Sequence, residues 1–291
     1  MTIILDGKRV AQKLKDNLRI EIEKLKLKFN RVPGLAVVQV GNVAASSVYV
    51  KAKTKSAKEV GINVIDHHLE ETTNQVELIN LINQLNNNKD VDGILVQLPL
   101  PKKINEEVVL NSIVPEKDAD GFHPLNVGKL SISPTNDESL MIPCTPYGCL
   151  LLLRELKIDL AGKNAVVIGR SNIVGKPMAQ LLIKESCTVT IVHSKTVNIQ
   201  SICKNADILI AAIGQPEFVN KDWVKKGAII IDVGINRVEA NEQKSRLVGD
   251  VSFNDVKGTV SAISPVPGGV GPMTIACLLR NTTIAFKNKI L

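Results

Sequence analysis

Three features of the sequence predict a two-domain α/β fold built on parallel sheets. Short apolar runs rich in β-branched residues alternate with stretches of helical periodicity along the chain. Several of these runs are apolar at nearly every position, the pattern of strands covered on both faces. The 291 residues suffice for two domains, each able to bury its own core.

The elements follow in order. Val10, Leu14, Leu18, Ile22, Leu25 and Phe29 recur every three to four residues, which predicts a long first helix with a lysine-rich outer face. Strands are expected at 35–40, 62–67 and 93–98, with helices at 46–60 and 75–85 between them, the last strand being stopped by Pro99 and Pro101. This β-α-β-α-β order implies a parallel sheet with right-handed crossovers. A polar, loop-like stretch covers 114–141, and a leucine-rich helix at 150–156 leads into the second domain. There, strands are read at 164–168, 188–192, 207–212, 228–233 and 260–263. A last helix from about Met273 carries an amphipathic face and is expected to pack back on the first domain. The first domain is therefore read as 1–141 with 273–291, and the second, Rossmann-like, as 142–272.

Composition excludes several classes. Net charge is +7 and the pI near 9.1, which could suit nucleic acid, but the lysines are scattered over helix faces without aromatic residues to stack bases. An acidic small molecule explains the excess as well. No apolar run approaches the length of a membrane span. Cys144, Cys149, Cys187, Cys203 and Cys277 form no C-x-x-C pair, and the N-terminus does not resemble a signal peptide; reduced thiols and a cytoplasmic location are expected. His67, His68, His123 and His193 lack metal-site spacing, so no metal is expected.

The most informative stretch is Gly169-Arg170-Ser171-Asn172-Ile173-Val174-Gly175, between an apolar strand and a helix with apolar Met178, Leu181 and Leu182. Strand, glycine turn and helix N-terminus together suit a pyrophosphate. The same pattern also fits an ordinary strand-to-helix turn. About 20 residues further on, an NAD site places an acid against the ribose 2′-hydroxyl. Here the next strand ends in His193-Ser194-Lys195, with no acid. Arg170 and Ser194 would instead bind a 2′-phosphate, so the sequence favours NADP over NAD.

In the first domain, Lys51, Lys55 and Lys58 share one stripe of their helix, while Lys53 is rotated by about 200° from Lys51 onto the stripe of Ser46, Tyr49, Ala57 and Val60. A lysine beside a tyrosine above an apolar floor is a candidate proton-exchanging amine, or a snorkelling side chain. Gln97 is delivered to the carboxyl end of the third strand, where parallel sheets bind ligands. Asp118 and Asp120 alternate in a loop that could equally be a solvated Asp-Gly turn. Residues 264–274 pack three glycines and three prolines into a loop too rigid for a mere connector.

Taken in order, Tyr49-x3-Lys53, Val96-Gln97-Leu98-Pro99-Leu100-Pro101, Pro115-Glu116-Lys117-Asp118-x-Asp120-Gly121, Gly169-Arg170-Ser171-x2-Val174-Gly175-x-Pro177 and Pro265-Val266-Pro267-Gly268-Gly269-Val270-Gly271-Pro272-Met273-Thr274 closely resemble the bifunctional methylenetetrahydrofolate dehydrogenase/methenyltetrahydrofolate cyclohydrolase family, over nearly the whole chain. The resemblance implies two α/β domains with a folate cleft between them, a homodimer, NADP, tetrahydrofolate derivatives carrying a glutamate tail, and a place in one-carbon metabolism and purine biosynthesis. It makes Lys53 the catalytic lysine, Gln97 its tuning partner and Asp120 the anchor of the pterin's amino-pyrimidine edge. Tyr49 lies along the pterin, and Ser46, Leu98, Pro99, Pro265, Gly268 and Gly269 complete the substrate set. Thr145, Gly169, Arg170, Ser171, Gly175, Ser194 and Ile235 form the cofactor set. A dehydrogenase-only folate enzyme and a shikimate-dehydrogenase-like NADP oxidoreductase are the alternatives. Retention of Lys53, Gln97 and Asp120 together argues against the first, and the loop 264–274 with Gln97-Leu98-Pro99 against the second.

Overall fold

A computed structural model describes residues 1–42, 44–134, 137–240 and 244–290, with side chains described except at 44–46, 240, 244 and 245. The first part of the chain runs β1 (Ile3–Ile4), α1 (Gly7–Phe29), β2 (Gly34–Val40), α2 (Ala44–Glu59), β3 (Asn63–Leu69), α3 (Gln75–Asn87), β4 (Gly93–Val96), α4 (Glu106–Asn111), α5 (Pro124–Ile132) and α6 (Cys144–Glu155). The remainder runs β5 (Asn164–Ile168), α7 (Gly175–Lys184), β6 (Thr188–Val192), α8 (Ile199–Lys204), β7 (Ile208–Ala211), β8 (Ile229–Asp232), β9 (Asn236–Ala240), β10 (Lys244–Val248), α9 (Phe253–Val256), β11 (Ala262–Ile263) and α10 (Val270–Ile290).

The chain divides into two compact units. One comprises Gln12–Cys144 with Ile275–Leu291, the other Met1–Ala11 with Thr145–Thr274. The first holds a parallel three-stranded sheet in the order β3-β2-β4. Every residue of β2 is buried, Gln39 included, as expected of a central strand that is apolar at nearly every position. Helix α3 covers this sheet with Leu78, Ile82 and Leu85, at helical spacing, against Ala36, Val38, Ile94 and Val96. Its N-terminus is closed by a capping box: the Asn74 side chain accepts from the Glu77 N–H, and the Glu77 carboxylate accepts from the Asn74 N–H. The C-terminal helix belongs to the same unit, with Phe286 buried edge-on against Phe29 of α1 at 6.4 Å.

The other unit is a six-stranded parallel sheet, β1-β11-β8-β7-β5-β6, with a β9/β10 hairpin beside it. Strands β6 and β7 flank β5 on opposite sides. The strand order therefore reverses at β5, the switch point where such sheets bind ligands.

Two expectations need correction. Residues 1–11 belong with the second unit, because Ile3 and Ile4 pair in parallel with Ala262 and Ile263. A two-residue strand leaves almost no periodicity to read. The stretch 114–141 is not all loop: Pro124 starts α5 at a position that tolerates proline, and the His123 ring accepts from the Leu125 N–H. The hairpin β9/β10 and the short helices α4, α8 and α9 lie outside the elements read from the sequence.

The α3 packing predicts a contrast. Ile82 is fully buried and Val76 is 67% exposed on the same helix. Ile82→Ala should cost about 2–5 kcal/mol of stability, and Val76→Ala under about 0.5 kcal/mol, in denaturant unfolding. Equal losses would show that α3 does not pack as described.

Candidate active site

Helix α2 separates its lysines as the 3.6-residue period requires. Lys51, Lys55 and Lys58 are exposed, whereas Lys53 is 4% exposed. A buried ammonium must be given polar partners. The Lys53 Nζ donates to Gln97 Oε1 at 3.1 Å and lies 5.0 Å from the centre of the Tyr49 ring. Gln97 is held from both ends. Its main-chain N–H continues the sheet by donating to Val38 O at 2.8 Å, and its side-chain Nε2 donates to the Leu98 carbonyl, which leaves Oε1 facing the lysine. Leu98 and Pro99 follow directly, joined by a cis peptide bond.

The acidic loop reaches this place by pairing with the same sheet. Asp118 bridges to Ile94 in parallel, and the Ala119 N–H donates to Ile94 O at 3.3 Å, which carries the following residue towards the carboxyl end of β4. The two acids have different tasks. Asp118 shapes the turn: its carboxylate accepts from the N–H of Gly121 at 3.0 Å and of His123 at 2.7 Å, and from Asn126 Nδ2 at 2.9 Å. Asp120 is buried, and its field couples it to Lys53. Burial lifts its carboxyl to about 6; Lys53 opposes that rise and Asp118 adds to it.

The turn is fixed from behind by groups that sequence reading did not single out. Asn281 of α10 donates to Ala119 O at 3.0 Å and Ile142 O at 2.8 Å, while the Cys144 N–H donates to Asp120 O at 3.2 Å. Nothing local in the sequence ties Asn281 to residue 119, and only the fold brings the two together. The structure thus gathers Tyr49, Lys53, Gln97 and Asp120 in one unit. Ser46 lies in α2, and its side chain is outside the described residues.

In the other unit, the glycine turn is set by close approach. Gly169 has φ +117°, and a Cβ there would strike the Ala212 carbonyl; a Cβ at Gly175 would strike the Gly169 carbonyl. Two N–H groups at the start of α7 are already capped, since Ser171 Oγ accepts from Val174 at 3.1 Å and Gly175 at 3.3 Å. An anion at this helix end would meet the Ser171 hydroxyl, which keeps its own proton to donate, and the helix dipole, rather than bare N–H groups alone. The Gly169 N–H donates to Val192 O at 2.9 Å, which sets the turn beside the end of β6, from which Ser194 follows; Arg170 and Ser194 are both exposed. Thr145 and Thr274 hydroxyls are 3.1 Å apart. Ile235 is 55% exposed. Pro265, Gly268 and Gly269 form one tight turn, with Gly269 N–H donating to Pro265 O at 2.8 Å and Lys8 N–H to Gly268 O at 3.2 Å. A glycine turn that lets main chain approach closely, leading into a helix N-terminus at a switch point, fits a dinucleotide. Among the described residues, no cluster of three His, Cys, Asp or Glu is placed to hold a metal.

Two family models match the chain in succession: the tetrahydrofolate dehydrogenase/cyclohydrolase catalytic domain over residues 5–120, and the NAD(P)-binding domain of the same family over 143–290. The chain is 55% identical to the bifunctional protein FolD of Campylobacter concisus, covering 99% of this chain and 98% of that one, and 52% identical to its namesake in Rhodospirillum rubrum, covering 98% and 97%. A crystal structure of the bifunctional dehydrogenase/cyclohydrolase of Campylobacter jejuni superposes with a TM-score of 0.94 at 46% identity over the whole of both chains. The Trypanosoma brucei enzyme, solved in complex with NADP cofactor and an inhibitor, gives a TM-score of 0.93 at 38% identity, covering 99% of this chain and 98% of that one. With two matched models in series and close relatives along nearly its full length, the chain belongs to the tetrahydrofolate dehydrogenase/cyclohydrolase family.

Proposed function

We propose that the protein oxidises 5,10-methylenetetrahydrofolate to the 5,10-methenyl cation and then hydrolyses that cation to 10-formyltetrahydrofolate. The observation that carries this reading is the buried Lys53 amine, held by Gln97 beside Tyr49 and Asp120. NADP supplies the acceptor for the hydride that leaves the methylene carbon. That step asks the protein for alignment more than for proton transfer.

Hydrolysis differs. Water adds to the methenyl carbon and both of its protons leave in turn: one ends on the ring nitrogen as that nitrogen's bond to carbon breaks, and the other is released. The net yield is 10-formyltetrahydrofolate and one proton. Lys53 Nζ moves those protons in this reading, which its hydrogen bond to Gln97 supports by fixing its direction. Asp120 binds the amino-pyrimidine edge through paired hydrogen bonds, and Tyr49 lies along the pterin. Gly169, Arg170, Ser171, Gly175, Ser194, Ile235 and Thr145 form the NADP site, Arg170 and Ser194 taking the 2′-phosphate. Ser46, Leu98, Pro99, Pro265, Gly268 and Gly269 complete the folate site. The reading further takes the protein to be a cytoplasmic homodimer that accepts polyglutamylated folates and feeds purine biosynthesis. The net charge of +7 suits two acidic ligands.

Lys53→Met keeps the side chain's length but cannot exchange a proton. It should abolish cyclohydrolase activity and leave part of the dehydrogenase, so that the methenyl absorbance accumulates as NADPH forms. Hydrolysis near the parent rate would return Lys53 to a snorkelling role.

Asp120 supplies a pH signature. Its carboxylate, the form that accepts hydrogen bonds, predominates above about 6 and is lost below it. Folate affinity should therefore weaken by up to about tenfold per pH unit below that point. Asp120→Asn should bind folate weakly at every pH without this slope, while NADP binding persists. A slope retained in Asp120→Asn would assign the titration elsewhere.

The missing acid after β6 predicts a preference for NADP over NAD of at least about tenfold in kcat/KM, since a charge-assisted hydrogen bond contributes roughly 1.5–3 kcal/mol. Arg170→Ala should narrow it by raising the KM for NADP. Equal use of both cofactors by the parent would contradict the assignment.

A further inference from the structure

Two buried acids in the nucleotide-binding unit have no part in the chemistry above. Asp232 is 3% and Asp250 0% exposed. Buried carboxylates must be matched by hydrogen-bond donors, and here most of the donors are main-chain N–H groups of the loops around them. Asp250 Oδ2 accepts from the N–H of Ile213 at 2.7 Å and of Gly214 at 3.0 Å; its Oδ1 accepts from the Gln215 N–H at 2.9 Å and from Asn236 Nδ2 at 3.0 Å. Asp232 stands behind it. Its Oδ1 accepts from the N–H of Asp250 at 2.8 Å and of Gly234 at 3.1 Å, and its Oδ2 from the Val251 N–H at 3.0 Å. The Asp232 N–H in turn donates to Ser264 Oγ at 2.8 Å. The fit excludes side chains nearby: a Cβ at Gly234 would collide with the Asp250 carboxylate, and one at Gly249 with that of Asp232.

The loops so tied border the ligand crevice. Residues 213–215 follow β7, directly after Ala212, whose carbonyl packs against Gly169 at the switch point between β5 and β7. Residues 234–236 follow β8 and carry the exposed Ile235. In a sheet of this kind the pyrophosphate sits on the glycine turn after β5, and the adenosine half extends over β6. The nicotinamide half must then extend the other way, over the carboxyl ends of β7 and β8. The N–H groups of residues 213–215 are spent on Asp250, so what these loops offer is shape.

We infer that Asp250, backed by Asp232, is a positioning residue that fixes the wall of the NADP site beside the nicotinamide. The inference rests on the NADP reading above. Two variants of the full chain test it. Asn236→Ala removes one of the four hydrogen bonds to Asp250 and frees the turn bearing Ile235. Asp250→Asn sets an amide NH2 against two donors. NADP affinity is read by calorimetry, alongside the KM for NADP and the hydrolysis of supplied methenyltetrahydrofolate, which needs no hydride transfer. Asn236→Ala should weaken NADP binding at least about threefold and Asp250→Asn at least about tenfold, each with a matching rise in KM and with hydrolysis within about twofold of the parent. Should Asp250→Asn fail to fold, Asn236→Ala decides alone. Unchanged NADP affinity in the folded variants, or a parallel fall in both activities, overturns the assignment. A parent protein that binds no NADP overturns the NADP reading, and this inference with it.

Discussion

Burying a lysine amine is expensive, and the catalytic unit is arranged around meeting that cost. Lys53 is withdrawn from water on a helix whose other lysines remain solvated, and the hydrogen bond from its Nζ to Gln97 Oε1 at 3.1 Å answers the loss of hydration. That bond constrains the sheet. Gln97 must stand at the carboxyl end of β4 with its amide turned, and its own main-chain and side-chain donors fix both. Asp120 supplies the opposing charge, held in place by the Asp118 turn in front and by Asn281 and Cys144 behind. Each partner thus depends on a different element, which makes the site a property of the fold rather than of one segment.

The two constellations hold charge in different ways. The one around Lys53 is built of side chains, which can move protons as well as bind. The glycine turn after β5 is mostly main chain, with glycines at closest approach and Ser171 capping α7. Main chain in turn needs an internal support, and the buried carboxylates of Asp232 and Asp250 provide it by accepting from three loops at once.

Much of this was legible in the sequence because it is periodic or local. The 3.6-residue period alone separates Lys53 from Lys51, Lys55 and Lys58, and the nearly continuous apolar run of β2 marks it as a central strand. Glycine spacing marks the turn after β5. What stayed hidden is set by tertiary pairing. Asp118 and Asp120 look alike in the sequence, and only the pairing with β4 decides which shapes the turn and which faces the lysine. Asn281 lies over 160 positions from the carbonyl it holds. The strand at Ile3–Ile4 has too few residues to show a pattern, and its partner lies at the far end of the chain. Asp232 ends an apolar strand and Asp250 follows a glycine, and nothing in their neighbours shows that both carboxylates are buried against the same loops.

The central claim is that the buried Lys53 amine, and not the exposed lysines of the same helix, meets the folate. Nitrogen-15 NMR of the lysine side chains, assigned by substitution and followed while a non-hydrolysable folate analogue is titrated in, addresses it directly. The account predicts that the Lys53 Nζ resonance moves in proportion to occupancy while those of Lys51, Lys55 and Lys58 stay in place. A saturated complex in which the Lys53 resonance has not moved would contradict it.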